Sequence, residues 1–149
     1  MNKNILFLAI FFLFAMAVYF ITNPSYEKSL EAKYYFEIGD YEESYTLAKE
    51  AFSYDVYNKM ASTIMTQSQL ALKYVKYIND SKKYINDIEK IVSKDEITQA
   101  DKAKIKIICE IMVDRYKKLV PSVITDEELI KTALKYHDKF RKLLEKVDK

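Results

Sequence analysis

The stretch AKYYFEIGDYEESYTLAKEAFSYDVYN, Ala32 to Asn58, decides the fold because it contains the only glycine of the 149-residue chain. Gly39 closes a helical pattern that runs from Ser25 to Ile38, and glycine suits the left-handed position that ends a helix. Asp40 is placed to cap the next helix, which the spacing predicts from Tyr41 to Tyr54. The stretch therefore predicts two helices joined by a tight turn.

The same stretch resembles a tetratricopeptide repeat, a unit of about 34 residues that folds as helix–turn–helix. Small residues would let the two helices approach closely, and tyrosines would fill the space between them. The residues that carry the resemblance are Ala32, Tyr35, Gly39, Asp40, Tyr41, Ser44, Ala48 and Ala51. Lys28 and Glu31 depart from the family's apolar pattern, and no second clear copy follows. Because a lone repeat cannot bury its own face, the remaining helices are expected to pack on it.

The resemblance also implies a partner-binding surface on the first helix. The family's inner-face positions correspond here to Tyr26, Ser29, Lys33, Phe36 and Glu37. These residues would line a groove for a peptide or a partner protein. The alternative is that Tyr26 and Phe36 simply pack on a neighbouring helix or on the membrane surface, and both interpretations stay open.

An unbroken apolar run, ILFLAIFFLFAMAVYFI, extends from Ile5 to Ile21. At about 1.5 Å per residue it reaches about 26 Å, near the lower limit for a membrane span. It predicts a segment that contacts the bilayer through residues 5–21. A retained anchor is favoured, and cleavage after Ala17 is the alternative, which would release a secreted or periplasmic ligand-binding protein.

The orientation of such an anchor depends on the positive charges at its ends. Lys3 and the α-amino group favour a cytoplasmic N-terminus. In a bacterium this topology would be a single pass through the inner (cytoplasmic) membrane, with the body in the periplasm.

The rest of the composition predicts an all-α fold. Helical periodicity continues from Val56 to Val92, where one bent helix or two are allowed, and Asn79-Asp80-Ser81 favours two. A helix from Thr98 to Val120 is expected to end at Pro121. A capping box of Thr125 and Glu128 would open the last helix, which makes about six helices after the anchor.

Three regions follow from these patterns. Residues 1–23 are expected to be the membrane anchor or signal peptide, residues 24–58 the repeat-like antiparallel hairpin, and residues 59–149 a helical bundle packed on it. The hairpin region is acidic, with eight acidic and three basic residues between Tyr26 and Asn58, a net charge of −5. Between Lys59 and Ile124 there are thirteen basic and eight acidic residues, a net charge of +5. Because these bases are interleaved with acids, nucleic-acid binding is not predicted.

The sequence contains few residues that could form a catalytic, metal-binding or phosphate-binding site. With one cysteine and one histidine, Cys109 and His137, a zinc site is not expected, and a single glycine leaves no phosphate-binding loop. Cys109 is expected to be a buried, inert thiol, and His137 a core or boundary residue on the inner face of the last helix. We therefore expect no catalytic residue, metal, cofactor or small-molecule substrate, and predict a membrane-anchored scaffold or adaptor that binds a partner protein. A subunit or assembly factor of a bacterial cell-envelope complex would have these features.

Overall fold

A computed structural model of the chain describes residues 3–122 and 125–147, apart from the side chains of Phe20 and Ile21. Every regular element within these residues is an α-helix, which confirms the predicted all-α class. The helices are α1 (Lys3–Thr22), α2 (Pro24–Glu37), α3 (Tyr41–Tyr54), α4 (Lys59–Val92), α5 (Gln99–Lys117) and α6 (Glu127–Val147). Five helices follow α1, whereas about six were expected.

Helix α1 is apolar on all sides, and its side chains are uncovered. Twelve large apolar side chains between Ile5 and Tyr19 are each 43–73% exposed. Judged by length and composition, no single helix of the described part of the chain qualifies as a membrane span. Lys3–Tyr19 and Pro24–Glu37 qualify only when taken together, across a bend of 69°. The predicted contact of residues 5–21 with a bilayer stays a prediction.

Helices α2 and α3 are joined at Gly39, whose φ of +84° lies in the left-handed region that residues with a Cβ avoid. The Gly39 N–H donates to the carbonyl of Phe36 at 3.2 Å, and the Asp40 N–H donates to the carbonyl of Tyr35 at 2.9 Å. This pair of bonds is the Schellman closure of α2. The Asp40 carboxylate then accepts from the Glu43 N–H at 3.2 Å and caps α3.

Small residues bring α2 and α3 close together. Those that are at most 1% exposed are Ser25, Ser29, Ala32, Ser44, Ala48 and Ala51. The Ser25 hydroxyl donates to the carbonyl of Ala51, and the Ser44 hydroxyl donates to the carbonyl of Ala32, each at 2.8 Å. The first bond joins the start of α2 to the end of α3, and the second joins a later residue of α2 to the start of α3. The two helices are therefore antiparallel.

The chain divides into two compact units, Met1–Gln69 and Leu70–Lys149, so the start of α4 belongs with the hairpin. Ser68 on α4 lies 2.8 Å from Ser44 on α3, hydroxyl to hydroxyl. The apolar core of this first unit consists of Ala32, Leu47, Ala48 and Ile64, with Tyr35, Phe36, Met60 and Met65 packed against it. The first unit thus contains three packed helical segments after α1.

Asn58, the residue before α4, ties that helix to α2. Its side-chain amide nitrogen lies 2.8 Å from the hydroxyls of Ser25 and Ser29 and 3.2 Å from the carbonyl of Ser25. Its side-chain oxygen accepts from the Ala61 N–H at 3.1 Å and caps α4. Because Asn58 is 1% exposed, water cannot replace these bonds if the amide is removed.

We predict that Asn58→Ala lowers the free energy of unfolding of the first unit by about 2–4 kcal/mol, since it removes the amide that donates to two buried hydroxyls and also removes a helix cap. Chemical denaturation followed by circular dichroism measures the change. Gln69→Ala is the matched control, because Gln69 is an exposed amide on the same helix within the first unit and its loss should cost less than about 0.5 kcal/mol. Equal effects of the two substitutions would contradict the assigned role of Asn58.

The second unit packs α5 and α6 on the remainder of α4. Its buried core consists of Tyr74, Tyr77, Ile78, Ile85, Ile88, Ile91, Ile105, Cys109, Met112, Ala133 and Phe140. Arg115 on α5 contacts Asp80 on α4 at 2.7 Å, and Lys139 on α6 contacts Glu89 on α4 at 3.4 Å. The prediction that Cys109 is buried is confirmed, since it is 0% exposed.

The expected break at Asn79-Asp80-Ser81 is wrong, because α4 is one helix of 34 residues. The Ser81 hydroxyl donates to the carbonyl of Tyr77 at 2.7 Å, within the helix. The Asp80 carboxylate binds Arg115 instead of capping a new helix. Both side chains that could have interrupted α4 therefore have partners that leave the helix intact.

The capping box predicted at Thr125 is also wrong. The Thr125 hydroxyl accepts from the Ser122 N–H at 2.9 Å, and the Asp126 carboxylate accepts from the Glu128 N–H at 2.8 Å. A capping box occurs instead at the start of α5, between Thr98 and Asp101. This helix ends at Lys117, before Val120, so Pro121 does not set its end.

Candidate protein-docking site

Helix α2 has one face of small residues and an opposite face of large ones. The inward positions hold Ser25, Ser29 and Ala32, which pack on α3 and α4. The outward positions hold Leu30 and Tyr34, followed by Ile38 at the C-cap of the helix, and these residues are 60%, 59% and 57% exposed. A spacing of four residues places these three side chains in a row along the helix. We call this row the α2 ridge.

Charged side chains border the α2 ridge on both sides. At 100° per residue, Lys33 and Glu37 lie on one side of it, and Glu27 and Glu31 lie on the other. Lys33 and Glu37 form an ion pair of 3.7 Å that leaves both side chains more than half exposed. Carboxylates outnumber cations among these four residues, so the border of the ridge is acidic.

Lys28 offsets part of this acidic charge near the start of the helix. It contacts Glu31 at 3.5 Å on α2 and Glu50 at 3.8 Å on α3. These carboxylates raise the pKa of Lys28, which keeps the ammonium charged. Such exposed pairs stabilise the fold only slightly, and their main effect is to shape the charge pattern.

The five residues predicted for partner binding separate into two groups. Lys33 and Glu37 are exposed, and Tyr26 is half-buried beside them on the outward side of α2. Ser29 is 0% exposed, and its hydroxyl donates to the carbonyl of Ser25 at 2.7 Å. Phe36 is half-buried and packs edge-to-face on Tyr41, with ring centroids 5.4 Å apart. Ser29 and Phe36 are thus placed in the packing of the hairpin, in agreement with the alternative interpretation of Phe36.

Sequence reasoning missed Leu30, Tyr34 and Ile38. The signal was present, since these apolar residues are spaced four apart on the face opposite Ser25, Ser29 and Ala32. The resemblance to a tetratricopeptide repeat predicted the inner-face positions of the first helix instead. The residues with the smallest side chains mark the packed face of this hairpin, and the large apolar residues opposite them mark its uncovered face.

Outside the α2 ridge, the second unit contains titratable side chains whose pKa values are shifted by burial, among them Tyr77, Cys109 and His137. Tyr77 and Tyr116 have ring centroids 5.8 Å apart, and Tyr116 stacks on His137 at 4.3 Å. Burial raises the pKa of Tyr77 to about 12 and that of the Cys109 thiol to about 11. Among the described residues, no group of three or more histidine, cysteine or acidic side chains could hold a metal ion.

Burial also lowers the pKa of His137 below its ordinary value of 6.5, against the opposing effect of the adjacent Asp138. Its Nδ1 is buried with no hydrogen-bond partner in the described part of the chain. The folded second unit therefore favours the neutral imidazole. The neutral His137 imidazole contributes fully to the free energy of unfolding above pH 6.5. This contribution is lost as the pH falls from 6.5 toward the lower pKa of His137 in the folded state.

We predict that acidification from about pH 8 to about pH 5.5 lowers the free energy of unfolding more in the parent protein than in His137→Gln, which cannot titrate. Chemical denaturation at a series of pH values measures both slopes. Parallel slopes for the two proteins would show that His137 has the same pKa folded and unfolded.

Comparisons of this chain with models of protein families, with curated proteins and with solved structures return no match. The resemblance of Ala32–Asn58 to a tetratricopeptide repeat therefore stays a prediction. The antiparallel hairpin at Gly39 has the local form that the resemblance implies, but many helical proteins contain such hairpins. A function for this chain is therefore inferred from its own exposed side chains.

Proposed function

We propose that this chain is a membrane-tethered adaptor in which α1 anchors the protein and the α2 ridge docks a partner protein. The observation that carries the proposal is the exposed row of Leu30, Tyr34 and Ile38, which begins eight residues after the end of α1. As an adaptor of this kind, the chain would act as a subunit or assembly factor of a cell-envelope complex.

The tether rests on the chemistry of α1. The helix has 20 residues and would extend about 30 Å, which is comparable with a hydrocarbon core, although α1 meets the criteria for a span only when taken together with α2. No charged residue lies between Lys3 and Glu27, and the apolar side chains of the helix are exposed all round. An uncovered apolar surface of this size is a binding surface for lipid or protein. Lys3 and the α-amino group favour a cytoplasmic N-terminus and a periplasmic body.

The partner is defined by the chemistry of the α2 ridge. Leu30 and Ile38 offer aliphatic area, and Tyr34 between them offers an aromatic face with a hydroxyl, and tyrosine is enriched at the centres of protein interfaces. The acidic border, together with the net charge of −5 between Tyr26 and Asn58, favours a partner surface with basic side chains around an apolar centre. Tyr26, Lys33 and Glu37 would contact the rim of that surface.

This role requires only binding, so the proposal assigns no catalytic step, metal or cofactor. Neutral Tyr77, Cys109 and His137 in the second unit are accounted for by packing. The alternative, a released ligand-binding protein, would follow from cleavage after Ala17. It differs from the tethered adaptor in the mass of the mature chain.

We predict that Leu30→Glu reduces the recovery of the partner protein from detergent-solubilised membranes at least about tenfold, since it places a charge at the apolar centre. Quantitative mass spectrometry of proteins captured with a tagged chain measures recovery. Leu134→Glu is the matched control, because Leu134 is a 44% exposed leucine on α6. The docking assignment is wrong if both variants recover the same proteins as the parent, or if both lose them equally.

We further predict that the mature protein keeps its N-terminal helix, so that its intact mass includes residues 1–17. The reason is that Val18-Tyr19-Phe20-Ile21 continues the apolar run beyond Ala17, so cleavage would leave an apolar N-terminus. Intact-mass measurement of protein purified from membranes tests this. A mature chain that begins at Val18 would refute the tether and favour the released protein.

A further inference from the structure

The connection between α3 and α4 exposes a second group of apolar side chains. Tyr54, Val56 and Tyr57 are 58%, 58% and 88% exposed, and they lie within four consecutive residues. Tyrosine and valine at such exposure would be costly for solubility if they served only to connect two helices. We call these three residues the aromatic loop.

The aromatic loop is held in a defined conformation by its own hydrogen bonds. The Asp55 carboxylate accepts from the Tyr57 N–H at 2.9 Å, and the Asn58 N–H donates to the Asp55 carbonyl at 3.1 Å. The Tyr54 hydroxyl donates to the Glu50 carboxylate at 3.1 Å. The exposed side chains of the aromatic loop therefore belong to a part of the first unit whose conformation is fixed by hydrogen bonds.

Hydrogen bonds also fix where this loop lies. Asn58, next to Tyr57, binds the hydroxyl of Ser25 at 2.8 Å, and that hydroxyl donates to the Ala51 carbonyl at 2.8 Å. Ser25 follows the last residue of α1, Thr22, by three residues, which span at most about 11 Å. The aromatic loop is therefore at the end of the hairpin from which α1 leaves, opposite the Gly39 turn.

We propose that the aromatic loop inserts into the interfacial layer of the lipid bilayer and forms a second membrane contact beside α1. This inference rests on the proposed tether, because α1 brings the loop to the bilayer. Tyrosine is suited to this layer, since its ring lies among the upper acyl chains and its hydroxyl among the headgroups. Val56 adds apolar area between the two tyrosines.

The surroundings of the loop fit lipid headgroups. A shallow cavity of about 340 Å³ opens beside it and is lined by Val56, Tyr57, Lys59, Ser62 and Thr63. Lys59 is exposed and supplies a cation, and Ser62 and Thr63 supply hydroxyls that can donate to phosphate oxygens. The cavity thus has apolar Val56 and Tyr57 beside one cation and two hydroxyls, a set of groups that can contact both the acyl chains and the headgroups of lipids.

Single-tryptophan reporters test this inference on the full chain in lipid vesicles, because the protein has no tryptophan of its own. Tyr57→Trp reports on the aromatic loop, and Phe12→Trp reports on the middle of α1. Ile38→Trp is the control, because Ile38 is 57% exposed at the Gly39 end of the hairpin. Each site is exposed, so the three substitutions should leave the helical content unchanged, as circular dichroism can verify.

Lipids brominated along the acyl chains quench tryptophan that lies within the bilayer. We expect strong quenching of Phe12→Trp, and quenching of Tyr57→Trp that is at least about twice that of Ile38→Trp, with a blue-shifted emission for Tyr57→Trp. Quenching of Tyr57→Trp no greater than that of Ile38→Trp, with Phe12→Trp strongly quenched, overturns the loop contact and leaves the tether standing. Absence of quenching at Phe12→Trp overturns the tether and the loop contact together.

Discussion

The buried amide of Asn58 is the interaction on which the first unit depends. It binds Ser25 and Ser29 on α2 while its oxygen caps α4, so one side chain sets both the start of α4 and its position on α2. When α4 packs on α2, it covers the face of small residues. The opposite face of α2, which carries the α2 ridge, therefore stays exposed to solvent. The aromatic loop directly precedes Asn58, so the same bonds hold it beside the end of α1.

Small inward residues leave little room for large apolar side chains on that side of the hairpin. Ser44 and Ala48 bring α3 close to α2, and the buried Ser44 hydroxyl donates a hydrogen bond to the Ala32 carbonyl. A Leu or Tyr on the inward face would force the helices apart and break these bonds. Leu30 and Tyr34 are 60% and 59% exposed, although the Tyr34 ring packs edge-to-face on Tyr35, so more than half of each side chain is accessible to a partner.

Sequence reasoning succeeded where the signals are local. Gly39 and Asp40 end one helix and start the next through bonds to residues within five positions, so the hairpin and its α3 boundaries could be predicted. It failed where the partners are distant. Asp80 does not break α4 because Arg115, 35 positions away, binds it, and Ser29 does not face a partner because Asn58, 29 positions away, binds it. Distant pairings of this kind leave no periodic trace in a single sequence.

A single tether would leave the hairpin free to rotate about the residues that join α1 to α2. The α2 ridge is narrow, one side chain wide, so a partner in the same membrane could engage it in only a small share of those orientations. Binding would then require the lost rotational freedom to be offset by new contacts. The proposed second lipid contact through Tyr57 would restrict this rotation before the partner binds and would raise the effective concentration of the correctly oriented ridge. In the proposed adaptor the aromatic loop and the α2 ridge would therefore act together, with lipid contact setting the orientation of the hairpin and the ridge binding the partner.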